Sequence, residues 1–360
     1  MNVNKEIRTD LKGTSREELE AFFAALGEPS YRAAQAMKWL YSRGTTDFQD
    51  MTDFSRTLRA RLSETAFISS LSIKARLSTP SRDTEKLLLG LPDGLGVECV
   101  LMRYSDGPGK DRMAACISTQ AGCSMGCAFC ASGIGGVQRN LTTAEIVDQV
   151  VILSRLAAPQ GERIGNVVLM GSGEPLANYR NSLSAIRLLN ASEGMGIGMR
   201  HITISTCGLA PGIERLSREK LPLRLAVSLH ATSDKLRDSL MPMNRKYPIT
   251  ALLDACRTYQ EVTGRRITFE YVMILGVNDS IKEAHELGRL LSGIHSLVNL
   301  IPYNPIPEYP HSPSPPSRVR EFHQIIETYG ISATIRVERG RSIGAACGQL
   351  RQRDETHGLS

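Results

Sequence analysis

The chain of 360 residues is long enough to bury a large core and to form two or three domains. Its 41% hydrophobic and 22% charged residues exclude a disordered or fibrous protein, and no apolar run reaches the roughly 18 residues of a membrane-spanning helix. The net charge of +6 is compatible with a polyanionic partner but does not identify one, because nucleic-acid proteins concentrate their charge in a patch.

Residues 1–75 are predicted to form an N-terminal helical domain. The initial segment MNVNKEIRTDLKGT lacks the apolar stretch of a signal peptide, so we expect the protein in the cytoplasm. In SREELEAFFAAL, Ser15 stands three residues before Glu18, which is a capping-box pattern at a helix start. The segment YRAAQAMKWLYSRG continues with apolar residues at helical spacing.

Residues 76–110 are predicted to form a hairpin-like linker. The segment TEKLLLGLPDGLGVECVLMR contains two extended stretches joined by a turn at Pro92, Asp93 and Gly94. Glu98 is a carboxylate in an otherwise apolar strand. It is either a buried candidate for a general base or a strand-edge residue that faces water.

Residues 111–350 are predicted to form a partial (β/α)6 barrel, followed by a tail at 351–360. Short apolar, β-branched runs alternate with helical patterns, which indicates a parallel sheet. The runs are AACIST (114–119), NVVLMG (166–171), HITIST (201–206), LRLAVS (223–228), ITFEYVM (267–273) and LVNLIP (297–302). Polar motifs end several of them, at the sheet edge where such proteins place their sites.

Three of the eight cysteines, Cys123, Cys127 and Cys130, form a C-x3-C-x2-C loop after the first barrel strand. A structural zinc site commonly uses four ligands in two pairs, and no second pair exists. Three thiolates instead suit a four-iron cluster in which one iron lacks a protein ligand and can chelate a substrate. In a reducing compartment, metal binding or catalysis explains clustered cysteines better than structural disulfides do.

The cysteine spacing resembles the signature of radical-SAM enzymes, with Phe129 at the position of the usual aromatic residue. The resemblance implies a 4Fe–4S cluster whose open iron binds S-adenosylmethionine and reduces it to a 5′-deoxyadenosyl radical. GSGEP (171–175) resembles the motif that binds the methionine amino group, which assigns Gly173, Glu174 and Pro175 to the cofactor.

Two further segments, CISTQAGCSMGCAFC and AACGQL, resemble the RlmN/Cfr family of radical-SAM RNA methyltransferases, and the RlmN branch most closely. Other blocks agree: RNLTTAEIVDQV, VVLMGSGEPLANY, SLHATSD, LMPMNRKYPI, YVMILGVNDS, NLIPYNP and YRAAQAMKWLY. The resemblance covers roughly residues 15–350. It separates Cys116 and Cys347 from Cys99, Cys207 and Cys256, which are expected to be buried apolar side chains.

The resemblance implies a reaction that uses two molecules of S-adenosylmethionine per turnover. The first methylates Cys347, and the second supplies the radical that activates this methyl group for addition to an adenine carbon. Glu98 is implied as the proton acceptor. Cys116 then attacks the Cys347 sulfur and releases methyladenosine, leaving a transient disulfide for a cellular thiol reductant. A cellular electron donor reduces the cluster.

The resemblance also assigns further contacts. Ser205, Ser228, Leu229, His230 and Asn304 match positions that bind S-adenosylmethionine, and Met170 is expected to pack near the methylated cysteine. The glycine-containing loop 338–350 is expected to be mobile. Candidate RNA contacts in the helical domain are Arg32, Lys38, Arg43, Arg56, Arg59 and Arg61 with Trp39 and Tyr41. The same segment is equally compatible with a plain packed helical domain.

The implied function is methylation of carbon-2 of an adenine at the peptidyl-transferase centre of 23S rRNA, together with the adenine beside the tRNA anticodon. Three alternatives stay open at this point. They are methylation of carbon-8 of the same rRNA adenine, which confers antibiotic resistance, radical-SAM chemistry on a substrate other than RNA, and a zinc-stabilised RNA-binding module without catalysis.

Overall fold

The computed structural model describes residues 8–104, 112–337 and 339–350. The segment SDGPGKD, Glu338 in the loop 338–350 and the predicted tail at 351–360 therefore lie outside the described residues. Within the described part of the chain, no helix is long and apolar enough to cross a membrane.

The N-terminal region is helical, as predicted. Its elements are β1 (Thr9–Asp10), α1 (Arg16–Ala25), α2 (Tyr31–Met37), α3 (Arg56–Thr65) and β2 (Ala66–Phe67). The Ser15–Glu18 capping box is present at the start of α1. Helix α2 continues as a π-helical turn, Lys38–Arg43, which the apolar spacing did not indicate.

Ten strands form one sheet that contains both the predicted hairpin and the barrel. Four successive strands pair antiparallel with one another: β3 (Ser72–Ser78), β4 (Thr84–Gly90), β5 (Gly96–Tyr104) and β6 (Arg112–Cys116). The turn at Pro92–Gly94 joins β4 to β5, as expected. The predicted hairpin-like linker, residues 76–110, is continuous with the barrel. Its strand β5 pairs with β6, and β6 also pairs with the next strand of the sheet, Ile164–Leu169.

The other side of β6 begins a run of parallel strands. They are β9 (Ile164–Leu169), β10 (Ile202–Thr206), β11 (Arg224–Ser228), β12 (Ile267–Met273), β13 (Ser296–Pro302) and β14 (Ser332–Ile335), and a separate hairpin comprises β7 (Gln120–Gly122) and β8 (Val137–Asn140). The intervening helices are α4 (Thr143–Ala157), α5 (Tyr179–Asn190), α6 (Ala210–Arg218), α7 (Asp234–Leu240), α8 (Ile249–Thr263), α9 (Ile281–Leu291) and α10 (Pro316–Thr328). The partial barrel is confirmed, and β14 is an additional strand that was not predicted.

A buried ion pair connects the N-terminal segment to the barrel. Lys12 Nζ lies 2.6 Å from Asp148 Oδ1 on α4, and both side chains are almost fully shielded. The second carboxylate oxygen, Asp148 Oδ2, accepts a hydrogen bond from the backbone of Leu71. Because each charge has a partner, burial of this pair is compatible with a stable fold.

Candidate functional site

The cysteine loop is closed at its base by the β7–β8 hairpin. Gly122 pairs with Val137, and the backbone N–H of Cys123 donates to the carbonyl of Gly136 at 3.0 Å. Gly122 has φ +76°, and a Cβ at this position would lie 2.1 Å from the Gly136 oxygen. Only glycine therefore allows the two sides of the hairpin to approach so closely.

The three cluster cysteines line a cavity at the mouth of the barrel. Burial raises the pKa of Cys123 to about 11 and also raises the pKa values of Cys127 and Cys130. Metal ligation requires thiolates, so loading of this site must release protons. In the described residues, no three His, Cys, Asp or Glu side chains converge as they would around one ion.

This cofactor cavity measures about 950 Å³ and collects most of the predicted cofactor residues. Its walls include Cys123, Cys127, Cys130, Met170, Gly173, Glu174, Ser205, Ser228, His230, Asn304 and Cys347. Leu229 is fully buried in the main core, since alternate residues of the SLH segment point in opposite directions. Pro175 is buried and is not part of the cavity wall. Leu229 and Pro175 therefore do not line the cavity in which the cofactor is expected to bind.

Glu174 joins the ends of two barrel strands. Its Oε1 accepts a hydrogen bond from the backbone of Leu176 at 2.9 Å, and its Oε2 accepts one from Cys207 at 2.7 Å. Each carboxylate oxygen has a further lone pair for an ammonium group. Burial raises the pKa of Glu174, although the two backbone donors oppose this effect. Glu174 therefore lines the cavity and also holds the loop after β9 against the end of β10 through these two hydrogen bonds.

His230 is held as a neutral hydrogen-bond donor. The backbone N–H of Val272 donates to His230 Nδ1 at 3.0 Å, which leaves the proton on Nε2. The imidazole ring contacts Phe129 edge to face, with 4.8 Å between the ring centroids. Burial lowers the pKa of His230 to about 3. The predicted hydrogen-bonding role agrees with this geometry, and a metal-ligand role is not needed.

We expect acid to destabilise the cluster-free protein partly through His230. The unfolded histidine, with a pKa of about 6.5, binds a proton before the folded one does, so stability falls as the pH decreases from about 6.5 towards 3. His230→Asn should remove about 2 kcal/mol of this loss between about pH 8 and pH 5. Asparagine preserves an acceptor for Val272 and tolerates the φ of +59° at this position. Urea unfolding of both proteins across this range measures the difference, and parallel pH profiles would contradict the prediction.

Asn304 has one unpartnered atom at the cofactor cavity. Its Nδ2 donates to the carbonyl of Cys347 at 3.2 Å, whereas its Oδ1 is buried without a hydrogen-bond partner. A buried polar atom without a partner is costly, and a ligand donor in the cavity removes that cost. This orphaned acceptor and the three thiols of the same cavity fit a bound cofactor that carries a hydrogen-bond donor.

Cys116 and Cys347 are far apart in the sequence but line the same side cavity of about 680 Å³. Cys347 also lines the cofactor cavity, and Met170 lines both, which agrees with the expectation that Met170 packs near Cys347. Burial raises the pKa of Cys116 to about 12. Cys116 is therefore a thiol in this arrangement and must lose its proton before it can attack another sulfur.

The segment 339–350 carries Cys347 and rests on the cysteine loop. Ala131 N–H donates to the Gly348 carbonyl at 2.7 Å, and the Ser132 hydroxyl donates to the Leu350 carbonyl at 2.7 Å. Arg339 donates to the Arg103 carbonyl, so it anchors the segment internally. In the structure these contacts hold the segment 339–350 against the cysteine loop and the end of β5. The expected mobility of the segment stays a prediction.

Glu98 is buried on β5, outside the cofactor cavity. Its Oε1 lies 2.7 Å from Lys86 Nζ, and its carbonyl oxygen accepts a hydrogen bond from Ser118. The burial agrees with a candidate base and not with a strand-edge residue that faces water. The sequence analysis did not identify the lysine partner. In the observed register Lys86 pairs with Val100, two residues from Glu98.

Two arginines were also missed. Arg237 on α7 is fully buried and donates to the carbonyls of Leu229, Cys207 and Ser228 and to the side chain of Asn244. Arg336 follows β14 and lines both cavities. The nearby Cys347 sulfur raises the pKa of Arg336 and so favours its cationic form. No sequence pattern indicates these roles, because the acceptors of Arg237 come from other elements and Arg336 follows an unpredicted strand.

The candidate RNA contacts of the helical domain separate into two groups. Tyr41 is buried, and its hydroxyl accepts a hydrogen bond from Gly13, so Tyr41 is a core residue and the expectation of an RNA contact is wrong. Trp39 is also largely buried, with Arg43 stacked on its ring at 3.8 Å. The exposed cations are Lys38, Arg43, Arg56 and Arg61, whereas Arg32 and Arg59 are half-buried.

Comparison with known proteins gives consistent matches along the chain. Residues 9–68 match the family model "Ribosomal RNA large subunit methyltransferase N-terminal domain", and residues 117–288 match the Radical SAM superfamily. "Probable dual-specificity RNA methyltransferase RlmN" of Moorella thermoacetica is 49% identical over 96% of this chain and 97% of its own. The protein of the same description from Symbiobacterium thermophilum is 50% identical over 96% of this chain and 92% of its own. The crystal structure of a radical SAM methyltransferase from Sphaerobacter thermophilus is 47% identical, with a TM-score of 0.90, over 95% of this chain and 99% of that one.

Proposed function

Because this chain belongs to the RlmN family of radical-SAM RNA methyltransferases, we propose that it methylates carbon-2 of an adenine in 23S rRNA and the adenine beside the tRNA anticodon. RNA methylation by radical-SAM chemistry follows from the family, as do a 4Fe–4S cluster and two molecules of S-adenosylmethionine per turnover. Family membership does not support a substrate other than RNA or a zinc-stabilised binding module. The carbon, the two RNAs and the cysteine intermediate are the proposal.

The observation that carries the proposal is the position of Cys347. This residue lies on the wall of the cofactor cavity and on the wall of the side cavity that also contains Cys116. A thiol placed in this way can receive a methyl group on one side and be attacked by a second thiol on the other. An enzyme that transferred methyl groups directly from the cofactor to RNA would need neither contact.

The bound cluster and S-adenosylmethionine supply the methyl group and the radical that activates it. The protein then does the positioning. Cys123, Cys127 and Cys130 would hold the cluster, and Glu174, His230 and Asn304 line the cavity in which the cofactor would bind. Gly173, Ser205 and Ser228 line the same cavity, whereas Leu229 and Pro175 do not.

The partners follow from this chemistry. The exposed cations Lys38, Arg43 and Arg56 of the helical domain, residues 1–75, are proposed to bind RNA phosphates, so affinity for RNA should fall steeply with salt. A cellular electron donor reduces the cluster. A cellular thiol reductant restores Cys116 and Cys347 after each turnover, and the cytoplasm is the compartment that supplies both.

Nucleoside mass spectrometry tests the assignment of the carbon. We expect rRNA and tRNA from a deletion strain to lose 2-methyladenosine and to regain it with the wild-type gene, but not with Cys347→Ala. Loss of 8-methyladenosine instead would assign the carbon-8 reaction. An unchanged nucleoside profile would contradict the proposal.

A further inference from the structure

Lys86 is a half-buried cation on β4 that no step above uses. Its Nζ lies 2.7 Å from Glu98 Oε1 and 3.3 Å from the carbonyl oxygen of Gly344. The side chain of Lys86 is 14% exposed and that of Glu98 is 6% exposed. One ammonium group therefore contacts both the candidate base and the segment that carries Cys347.

The sheet register places the candidate base and the second thiol on the same face. Val100 pairs directly with Cys116 across β5 and β6, and Glu98 lies two residues before Val100. Because alternate residues of a strand share a face, Glu98 and Cys116 point to the same side of the sheet. Ala345 and Leu350 of the segment 339–350 pack on this face, in one cluster with Val100 and Cys116.

Substrate has room to reach the carboxylate. A cavity of about 1140 Å³ lies beside the ion pair, and its walls include Lys86, Glu98, Arg341 and Gly344. The cavity therefore lies between the hairpin and the segment 339–350. A buried ion pair stabilises a fold little more than well-packed apolar residues do, so stability alone does not explain two charges at this position.

We propose that Lys86 is a positioning residue for removal of the adenine ring proton and that it acts through Glu98. The inference rests on the proposed function. In this step the ring C–H bond breaks, its proton moves to a Glu98 oxygen, and its electron pair restores the aromatic ring. The unpaired electron left by the radical addition would return to the oxidised 4Fe–4S cluster that supplied it. The ammonium group favours the ionised carboxylate, which is the form that accepts a proton. Its second contact, with Gly344, keeps the carboxylate next to the segment that carries Cys347.

Loss of Lys86 should therefore stop the reaction at one particular stage. Methylation of Cys347 and addition to the adenine do not require Glu98, whereas release of the product follows proton removal. Lys86→Met should methylate Cys347 normally, lower turnover by about 100-fold or more, and accumulate protein covalently attached to RNA. Lys86→Arg, which preserves the charge, should restore part of the turnover.

The experiment uses the cluster-loaded full chain and unmethylated rRNA from a deletion strain. Peptide mass spectrometry measures the methyl group on Cys347, a denaturing gel measures the RNA adduct, and nucleoside analysis measures turnover. Lys282→Met, which removes an exposed lysine on α9, is the matched control. Because Lys86 acts through Glu98, adding Lys86→Met to Glu98→Gln should lower turnover no further.

Different outcomes overturn different statements. Turnover of Lys86→Met within about twofold of wild type, or additive losses in the double variant, would overturn the role of Lys86. A methylated Cys347 without any RNA adduct in Lys86→Met would also overturn it. A wild-type protein that never carries the methyl group would instead refute the proposed function. If Lys86→Met does not fold, Lys86→Gln provides the same comparison, because it preserves hydrogen-bond donors without the charge.

Discussion

Cys116→Ala should leave the protein covalently attached to its RNA. In the proposed reaction Cys347 is joined to the adenine through a methylene group, and Cys116 releases the product by attacking the Cys347 sulfur. Both residues line the same side cavity, so without Cys116 this cavity lacks the thiol that would attack the Cys347 sulfur. We expect an adduct on most of the active protein after one turnover, and multiple turnover reduced by at least about 1000-fold.

A denaturing gel with labelled RNA measures the adduct, and ribonuclease treatment should remove the attached mass. Cys256→Ala is the matched control, because Cys256 is equally buried but belongs to the main core on α8. It should turn over like wild type. Cys116→Ala combined with Cys347→Ala should give no adduct. Normal multiple turnover by Cys116→Ala would remove Cys116 from the mechanism.

Arg237→Met should lower the free energy of unfolding by about 3–5 kcal/mol. The guanidinium group of Arg237 donates to Cys207, Ser228 and Leu229 carbonyls at the ends of β10 and β11, and to Asn244. Methionine would leave these buried acceptors without donors, and each lost partner costs about 1–3 kcal/mol. Lysine should restore little, because an ammonium group cannot reproduce the planar fork of donors.

Urea unfolding of the cluster-free protein measures this loss. Arg257→Met is the matched control, because Arg257 is exposed on α8 and is paired with the exposed Asp254. The control should change the free energy of unfolding by less than about 0.5 kcal/mol. A loss below about 1 kcal/mol for Arg237→Met would show that water or neighbouring groups satisfy the carbonyls.

Much of the barrel was predictable because its strands appear as short apolar, β-branched runs between helical patterns. Strand β12 is buried along nearly its whole length, and its limits, Ile267–Met273, are the same in the prediction and in the structure. The cysteine loop was equally predictable from the sequence, because its three cysteines are close together in the chain. Strand β14 was missed because it has four residues and is mostly exposed, so it lacks that apolar signal.

The remaining part of the site depends on contacts between distant segments. Asn304 reaches the Cys347 carbonyl, and Arg237 reaches strand ends that precede it in the chain. No local periodicity encodes such pairs, because periodicity reports only which face of an element is buried. Lys86 reaches Glu98 diagonally across the β4–β5 pair, because its own register partner is Val100. The sequence analysis predicted the two strands but not their register.

The pairing of β5 with β6 also determines that Glu98 and Cys116 lie on the same face of the sheet. Five backbone pairs, from Val100 with Cys116 to Tyr104 with Arg112, fix the register on both sides of the connecting segment. A shift of one residue would move Glu98 or Cys116 to the opposite face, so the register tolerates no slippage. The shared face of Glu98 and Cys116 therefore depends on these five backbone pairs.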